Sequence, residues 1–169
     1  MQNIPQIEGL QTQNVMTAVE FFDQKEELIG KRSLVIGAAR TGLEVSELLG
    51  SEGIEVVATK RTDTLGNDME MITKKLIHKR LGEMANVTLM PNTTVKEFTD
   101  SEVIIERDGQ SSTLKPFEMV ILASGMVPVD SPNSIIGKSI SSIEVIGDAA
   151  EVGDIYSAIH QGYELAKKY

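Results

Sequence analysis

Residues 34–44 read Leu34-Val35-Ile36-Gly37-Ala38-Ala39-Arg40-Thr41-Gly42-Leu43-Glu44. The stretch predicts a short apolar strand, a tight turn of small residues and the beginning of a helix. Backbone N–H groups at the N-terminus of a helix, together with the helix dipole, favour a bound anion. In strand–turn–helix units that bind nucleotides, Gly37 would form the sharp turn and Gly42 would allow close packing of helix on strand. The stretch therefore predicts a turn that holds the pyrophosphate of a nucleotide.

The glycine pattern of this turn is incomplete. Ala39 stands where the usual G-x-G-x-x-G pattern has its middle glycine, which lets the backbone approach the pyrophosphate. The residues leave two interpretations open: a turn that still binds, which we favour, and a degenerate turn that binds nothing. The side chain of Arg40 would reach a phosphate or would lie in solvent. The candidate cofactor-binding residues of the turn are Gly37, Ala38, Ala39, Arg40, Thr41 and Gly42.

Composition narrows the class of protein. The chain has 169 residues, of which 41% are hydrophobic and 24% charged, as expected of a globular domain with a core. It has no cysteine, which excludes disulfides, thiol catalysis and cysteine-ligated metals. No apolar run approaches the roughly 20 residues of a membrane span, so we expect a cytoplasmic protein. The net charge of −9 argues against nucleic acid and anionic membranes as partners.

The elements alternate in a way that indicates an α/β fold. The pattern predicts strands at 33–37, 55–59, 86–90, 119–122 and 142–146, and helices at 18–28, 41–51, 68–83 and 155–168. Three further short segments, at 93–98, 103–107 and 112–114, alternate with period two, and Asp108-Gly109 is a hairpin signal between two of them. We therefore predict a Rossmann-like parallel sheet with helices on both faces and a three-stranded antiparallel meander. The predicted domains are a connector with a helix at 1–29, a dinucleotide-binding domain at 30–126 and a loop, strand and helix at 127–169.

The end of the second strand carries two cations, Lys60 and Arg61, between Thr59 and Thr62. In NAD-binding domains an acidic residue near this place accepts hydrogen bonds from the adenosine ribose, whereas a basic residue accommodates the 2′-phosphate of NADP. Arg can clamp a phosphate with two hydrogen bonds and Lys adds a point charge. These residues favour NADP over NAD, and the alternative is a pair of cations in a solvated loop.

An ordered set of features carries a resemblance to a known family. The G-x-A-x-x-G turn and the meander are followed by Ala123-Ser124-Gly125 and then by Ile146-Gly147-Asp148-Ala149. The set resembles the pyridine-nucleotide-binding region of flavoproteins with two dinucleotide-binding domains. Within them it is most similar to the C-terminal part of the NADH:flavin oxidoreductases related to 2,4-dienoyl-CoA reductase and trimethylamine dehydrogenase.

The resemblance implies that the parent protein has further domains. Ile4-Pro5 and residues 14–18 resemble the segment by which the chain leaves an FAD-type domain, and Ala123-Ser124-Gly125 resembles the point of return. Residues 127–169 resemble the end of that domain, and Asp148 would bind FAD only in the full-length parent. The alternative for Asp148 is the N-cap of a helix. The implied partners are a dinucleotide and the missing FAD-type and flavin-barrel domains.

The function implied by the resemblance is to bind NAD(P)H and to position it for hydride transfer to a flavin held elsewhere. We identify no nucleophile, carboxylate pair or metal cluster in the sequence, so no catalytic residue and no metal is predicted, and the isolated chain is expected to be inactive. One alternative is a stand-alone nucleotide-binding or ADP-occupied structural module without catalysis. Another, suggested by Ala39, is a docking surface without a ligand.

Overall fold

The computed structural model describes residues 1–24, 32–129 and 143–169. These residues form two compact units, the larger spanning Ile4–Ser124 and the smaller combining Met1–Asn3 with Gly125–Tyr169. The domain boundaries predicted after residues 29 and 126 stay a prediction.

The larger unit contains a five-stranded sheet in which all neighbouring strands are parallel. In spatial order its strands are β1 (Val15–Thr17), β8 (Met119–Leu122), β2 (Arg32–Ile36), β3 (Glu55–Thr59) and β4 (Val87–Met90). This arrangement confirms the α/β, Rossmann-like fold class. The edge strand β1 lies inside the stretch predicted as a connector, where the sequence pattern indicates no strand.

Helices cover one face of this sheet. They are α1 (Ala18–Gln24), α2 (Arg40–Ser51) and α3 (Met71–Glu83). Side chains from all three pack in one core against Val35 and Ile121 of the sheet. The fully buried members of this core include Phe21, Leu43, Val45, Leu49 and Ile77. Burial of these apolar surfaces is the main source of stability for the unit.

The opposite face is covered by a three-stranded antiparallel sheet of β5 (Thr93–Phe98), β6 (Val103–Arg107) and β7 (Gln110–Leu114). The meander is thus confirmed; it covers this second face, whereas α1, α2 and α3 pack on the first. Val95 and Ile105 of the meander pack against Leu34 and Val57 of the parallel sheet. Side chains alternate between the two faces of the meander, and its apolar face points toward the parallel sheet. The meander therefore buries this face of the parallel sheet as a layer of helices would.

Local chemistry explains two element boundaries. Asp108 and Gly109 both have positive φ, of 50° and 78°, and Arg107 pairs with Gln110 across them, as the hairpin signal predicted. Helix α3 begins at Met71 and not at residue 68, because the Glu70 carboxylate accepts hydrogen bonds from the backbone N–H groups of the first turn.

The smaller unit contains a short 3₁₀ helix at Gly147–Ala149 and a helix α4 at Ile155–Ala166, which confirms the last predicted helix. The strand predicted at 142–146 is wrong for residues 143–146, which have no regular structure. A strand needs a ladder partner, and no strand pairs with these residues in the described part of the unit. Most of the loop predicted at 127–141 and the end of the helix predicted at 18–28 lie outside the described residues. None of the helices that the structure describes is both long and apolar enough to cross a membrane.

Candidate functional site

The turn between β2 and α2 lies at the carboxyl edge of the parallel sheet, where the strand order reverses. From β2 the chain moves outward through β3 to β4, and it later returns to β8 on the other side of β2. In open α/β sheets the crevice at such a switch point is where ligands bind. The topology therefore places residues 37–42 at the preferred ligand position of this fold class.

Two glycines of the turn have no room for a side chain. Gly37 has a φ of 107°, and a Cβ atom on it would lie 2.3 Å from the carbonyl oxygen of Ala123. A Cβ on Gly42 would lie 1.7 Å from the carbonyl oxygen of Gly37. The turn is thus packed backbone on backbone, which gives the sharp bend and the close approach of α2 to β2 that the sequence predicts for these two residues.

Ala39 fits the turn without strain. It is the N-cap residue of α2, with a φ of −80° and a ψ of −165°, a conformation open to any L-residue. Its Cβ therefore leaves the backbone path of the turn unchanged, although it offers no side-chain oxygen to the first N–H groups of the helix. Whether the turn binds a nucleotide stays a prediction.

A carboxylate from another segment occupies the beginning of α2. The backbone N–H of Arg40 donates to Oδ1 of Asp68 at 2.8 Å, and Nη2 of Arg40 donates to the backbone oxygen of Asp68 at 3.2 Å. The sequence pattern predicts Asp68 only as the beginning of the next helix and does not predict this contact. The sequence feature that could have indicated this contact is an aspartate in the loop after β3, at the same edge of the sheet as the turn.

The segment between β3 and α3, residues 60–70, lies against the turn, and we call it the strap. Its Gly66 N–H donates to the carbonyl oxygen of Ala38 at 2.9 Å. Lys60 extends the pairing of β3, since its N–H donates to the Met90 oxygen at 3.0 Å. Nζ of Lys60 donates to Oδ1 of Asn67 at 2.8 Å, while Arg61 is exposed. Within the described residues neither Lys60 nor Arg61 forms a salt bridge, so neither cation is paired with a carboxylate there.

The residues after β8 border the same turn. The Ala123 N–H donates to the Ile36 oxygen at 2.9 Å, and the Ser124 hydroxyl donates to the same oxygen at 3.4 Å. The structure thus brings Ala123 and Ser124 beside Gly37. Gly125 has a φ of 87° and belongs to the smaller unit, where its oxygen accepts from the Asn3 N–H at 3.0 Å.

Asp148 is exposed in the smaller unit and is not the N-cap of the following helix. Its Oδ1 accepts from the Gly153 N–H at 3.2 Å. The N-cap of α4 is Asp154, whose carboxylate accepts from the backbone N–H and the hydroxyl of Ser157. These hydrogen bonds hold the pKa of Asp154 below its usual range, and the one from the Ser157 hydroxyl contributes most. The capping alternative for Asp148 is therefore wrong.

In the part of the chain that the structure describes, the acidic and histidine side chains do not converge on a metal site. Across residues 1–24, 32–129 and 143–169, no group of three or more such side chains could hold a metal ion. The chemistry available at the site is that of a backbone turn at a helix N-terminus, flanked by cations. Such an arrangement is chemically suited to an anionic ligand.

Comparison with known proteins adds an independent finding. Residues 1–162 match the profile of a family described as pyridine nucleotide-disulphide oxidoreductase. The NADH oxidase of Thermoanaerobacter brockii is 25% identical over an alignment of 173 positions. The alignment covers 96% of this chain and 25% of that protein. The chain thus spans about a quarter of that relative's length.

Solved structures agree on the fold. A 2-naphthoyl-CoA reductase in complex with 2-naphthoyl-CoA superposes with a TM-score of 0.79 at 25% identity, over 97% of this chain and 25% of that one. The histamine dehydrogenase of Rhizobium sp. 4-9 superposes with a TM-score of 0.80 at 21% identity, over 98% of this chain and 27% of that one. At 21% identity, the likeness to the histamine dehydrogenase shows a shared fold and nothing more.

Proposed function

Because the chain belongs to the pyridine nucleotide-disulphide oxidoreductase family, we propose that it is the NAD(P)H-binding domain of a larger flavin-dependent oxidoreductase. Its task is to hold the nicotinamide in place for hydride transfer to a flavin that another domain binds. In such enzymes the cofactors supply the redox chemistry, and the protein supplies binding and orientation. The observation that carries the proposal is the turn at Gly37 and Gly42, which combines a helix N-terminus with a switch point of the sheet.

The proposed pose follows from the turn. The pyrophosphate lies over residues 37–42, where backbone N–H groups at the beginning of α2 point toward it. The adenosine ribose then lies beyond the end of β3, next to Lys60 and Arg61. Two cations without salt bridges among the described residues favour the 2′-phosphate of NADP over the free hydroxyl of NAD.

We propose the parent to be an NADH:flavin oxidoreductase of the kind related to 2,4-dienoyl-CoA reductase. The quarter-length match to an NADH oxidase supports this, since a parent of that size has room for an FAD-type domain and a flavin barrel as well. Asp148 and the segment Ala123-Ser124-Gly125 would serve FAD in that full-length parent. The isolated chain then binds no flavin and does not oxidise NAD(P)H.

The test is a titration of the 169-residue chain with NADPH, NADH, ADP and adenosine, followed by calorimetry and by amide chemical shifts. We expect NADPH to bind with shifts at residues 38–43 and 60–61, and adenosine, which lacks the pyrophosphate, to leave 38–43 unmoved. Shifts confined to other parts of the chain would overturn the proposal, as would the absence of binding. ADP binding as tightly as NADPH would favour the alternative of an ADP-occupied structural module without catalysis.

A further inference from the structure

Asp68 fills the position that an anionic ligand would take at α2. Its Oδ1 accepts from the Arg40 N–H at 2.8 Å, and that N–H belongs to the first residue of the helix. Ala39 supplies no side-chain oxygen of its own, so the strap supplies the carboxylate. A helix N-terminus favours a negative charge, and here the protein provides one from a segment 28 residues away.

The Asp68 carboxylate and a pyrophosphate oxygen compete for the same donor. One N–H makes one strong hydrogen bond, so both oxygens cannot hold it with good geometry. The carboxylate and the pyrophosphate are also both negatively charged, and like charges within a few ångströms repel each other. A dinucleotide that uses the Arg40 N–H therefore has to move the Asp68 side chain away.

Strap residues also accept hydrogen bonds from two cations beside the turn, Arg40 and Lys60. Nη2 of Arg40 donates to the backbone oxygen of Asp68 at 3.2 Å, and Nζ of Lys60 donates to Oδ1 of Asn67 at 2.8 Å. The Gly66 N–H donates to Ala38, inside the turn. Three adjacent strap residues, 66–68, thus engage the turn and both cations at once.

We propose that Asp68 sets the affinity of this site by acting as an internal anion that competes with the dinucleotide pyrophosphate. Ligand binding moves its carboxylate off the Arg40 N–H, which then donates to the pyrophosphate. The inference rests on the proposed function, because it takes the turn at residues 37–42 as the pyrophosphate site. The measured affinity is then the intrinsic affinity multiplied by the fraction of molecules in which the donor is free.

Asp68→Asn keeps the size of the side chain and an acceptor oxygen but removes the charge. We expect NADPH to bind this variant about fivefold more tightly than the parent chain, the scale of a single charge at a helix N-terminus. Asp68→Ala, which removes the acceptor as well, should bind at least as tightly. Asp63→Asn is the matched control: it removes the same charge from an exposed strap residue whose carboxylate accepts from Thr64. It should leave the affinity within twofold of the parent value.

The Arg40 amide signal separates this role from a purely structural one. Its chemical shift should move when NADPH binds the parent chain, and it should differ between the ligand-free parent and Asp68→Ala. Thermal melting of each variant identifies any loss of fold. If Asp68→Ala has a much lower Tm than the parent, the comparison uses Asp68→Asn. If the parent chain binds NADPH, but Asp68→Asn and Asp63→Asn bind it with equal affinity, the inference is overturned and the proposed function is not. No binding to any variant would overturn the proposed function together with it.

Discussion

The turn at residues 37–42 and the strap at residues 60–70 form two sides of the same candidate site and are built differently. The turn is fixed by backbone packing, with no space at Gly37 or Gly42 for even one carbon atom. The strap is mostly exposed, and hydrogen bonds of Lys60, Gly66 and Asp68 connect it to its surroundings. The difference teaches that shape at this site depends on steric contact, whereas the ligand choice that we propose depends on charges that salt can screen.

The largest effect is expected from Gly42→Ala, which tests the steric side of the comparison. Both Gly42 and Gly82 lie in helices, but a Cβ meets backbone at 1.7 Å at the first position and nothing within 4 Å at the second. We expect Gly42→Ala to cost about 3 kcal/mol of unfolding free energy or more, lowering Tm by about 6–12 °C. Gly82→Ala should leave Tm unchanged or raise it slightly, because alanine favours helix. Equal melting temperatures of the two variants would break the comparison.

The next effect tests the strap. Lys60→Glu places a carboxylate where the 2′-phosphate of NADP is proposed to lie. We expect it to weaken NADPH binding about tenfold more than NADH binding, the scale of one charge-assisted hydrogen bond. The difference should shrink as ionic strength rises. Lys79→Glu makes the same charge reversal on α3 and should not discriminate between the nucleotides. Equal weakening of both nucleotides by Lys60→Glu would mean that Lys60 has no part in their selection.

A smaller effect separates backbone strain from steric clash. Gly53 has a φ of 79°, but nothing lies within 4 Å of a Cβ built on it. Gly53→Ala should therefore cost only the strain of a left-handed alanine, about 1 kcal/mol, or about 2–4 °C in Tm. A loss as large as that of Gly42→Ala would mean that the size of the loss does not distinguish backbone contact from left-handed strain.

The smallest effect concerns the last residue of the strap. Hydrogen bonds from the Ile72 and Thr73 N–H groups lower the pKa of the Glu70 carboxyl. A lowered folded-state pKa contributes stability above the usual glutamate range and loses it as pH falls through the folded pKa. The Tm difference between the parent and Glu70→Gln should therefore be present at pH 7 and decrease toward acid pH. Thr73→Ala keeps both backbone donors and should retain the parent's pH dependence. If the pH dependence disappears in Thr73→Ala, the effect belongs to the Thr73 hydroxyl.

Several features could be predicted because short stretches of sequence decide them. The apolar runs at β2, β3 and β8 and the hairpin at Asp108-Gly109 were identified from local patterns. The edge strand β1 was missed because three half-buried residues carry little periodic signal. The strand predicted for residues 143–146 had the right composition, but pairing with a neighbour decides whether a strand forms.

The sequence by itself determined the fold class, the position of the turn at Gly37–Gly42 and the cationic character of the segment after β3. Periodicity, glycine spacing and charge are local properties, and they act before the chain is packed. Only the tertiary structure decided that the meander covers the second face of the sheet and that the Asp68 carboxylate reaches the Arg40 N–H. Both depend on contacts between residues far apart in sequence. Such contacts arise where packed layers bring strand ends and loops together, and no local pattern encodes them.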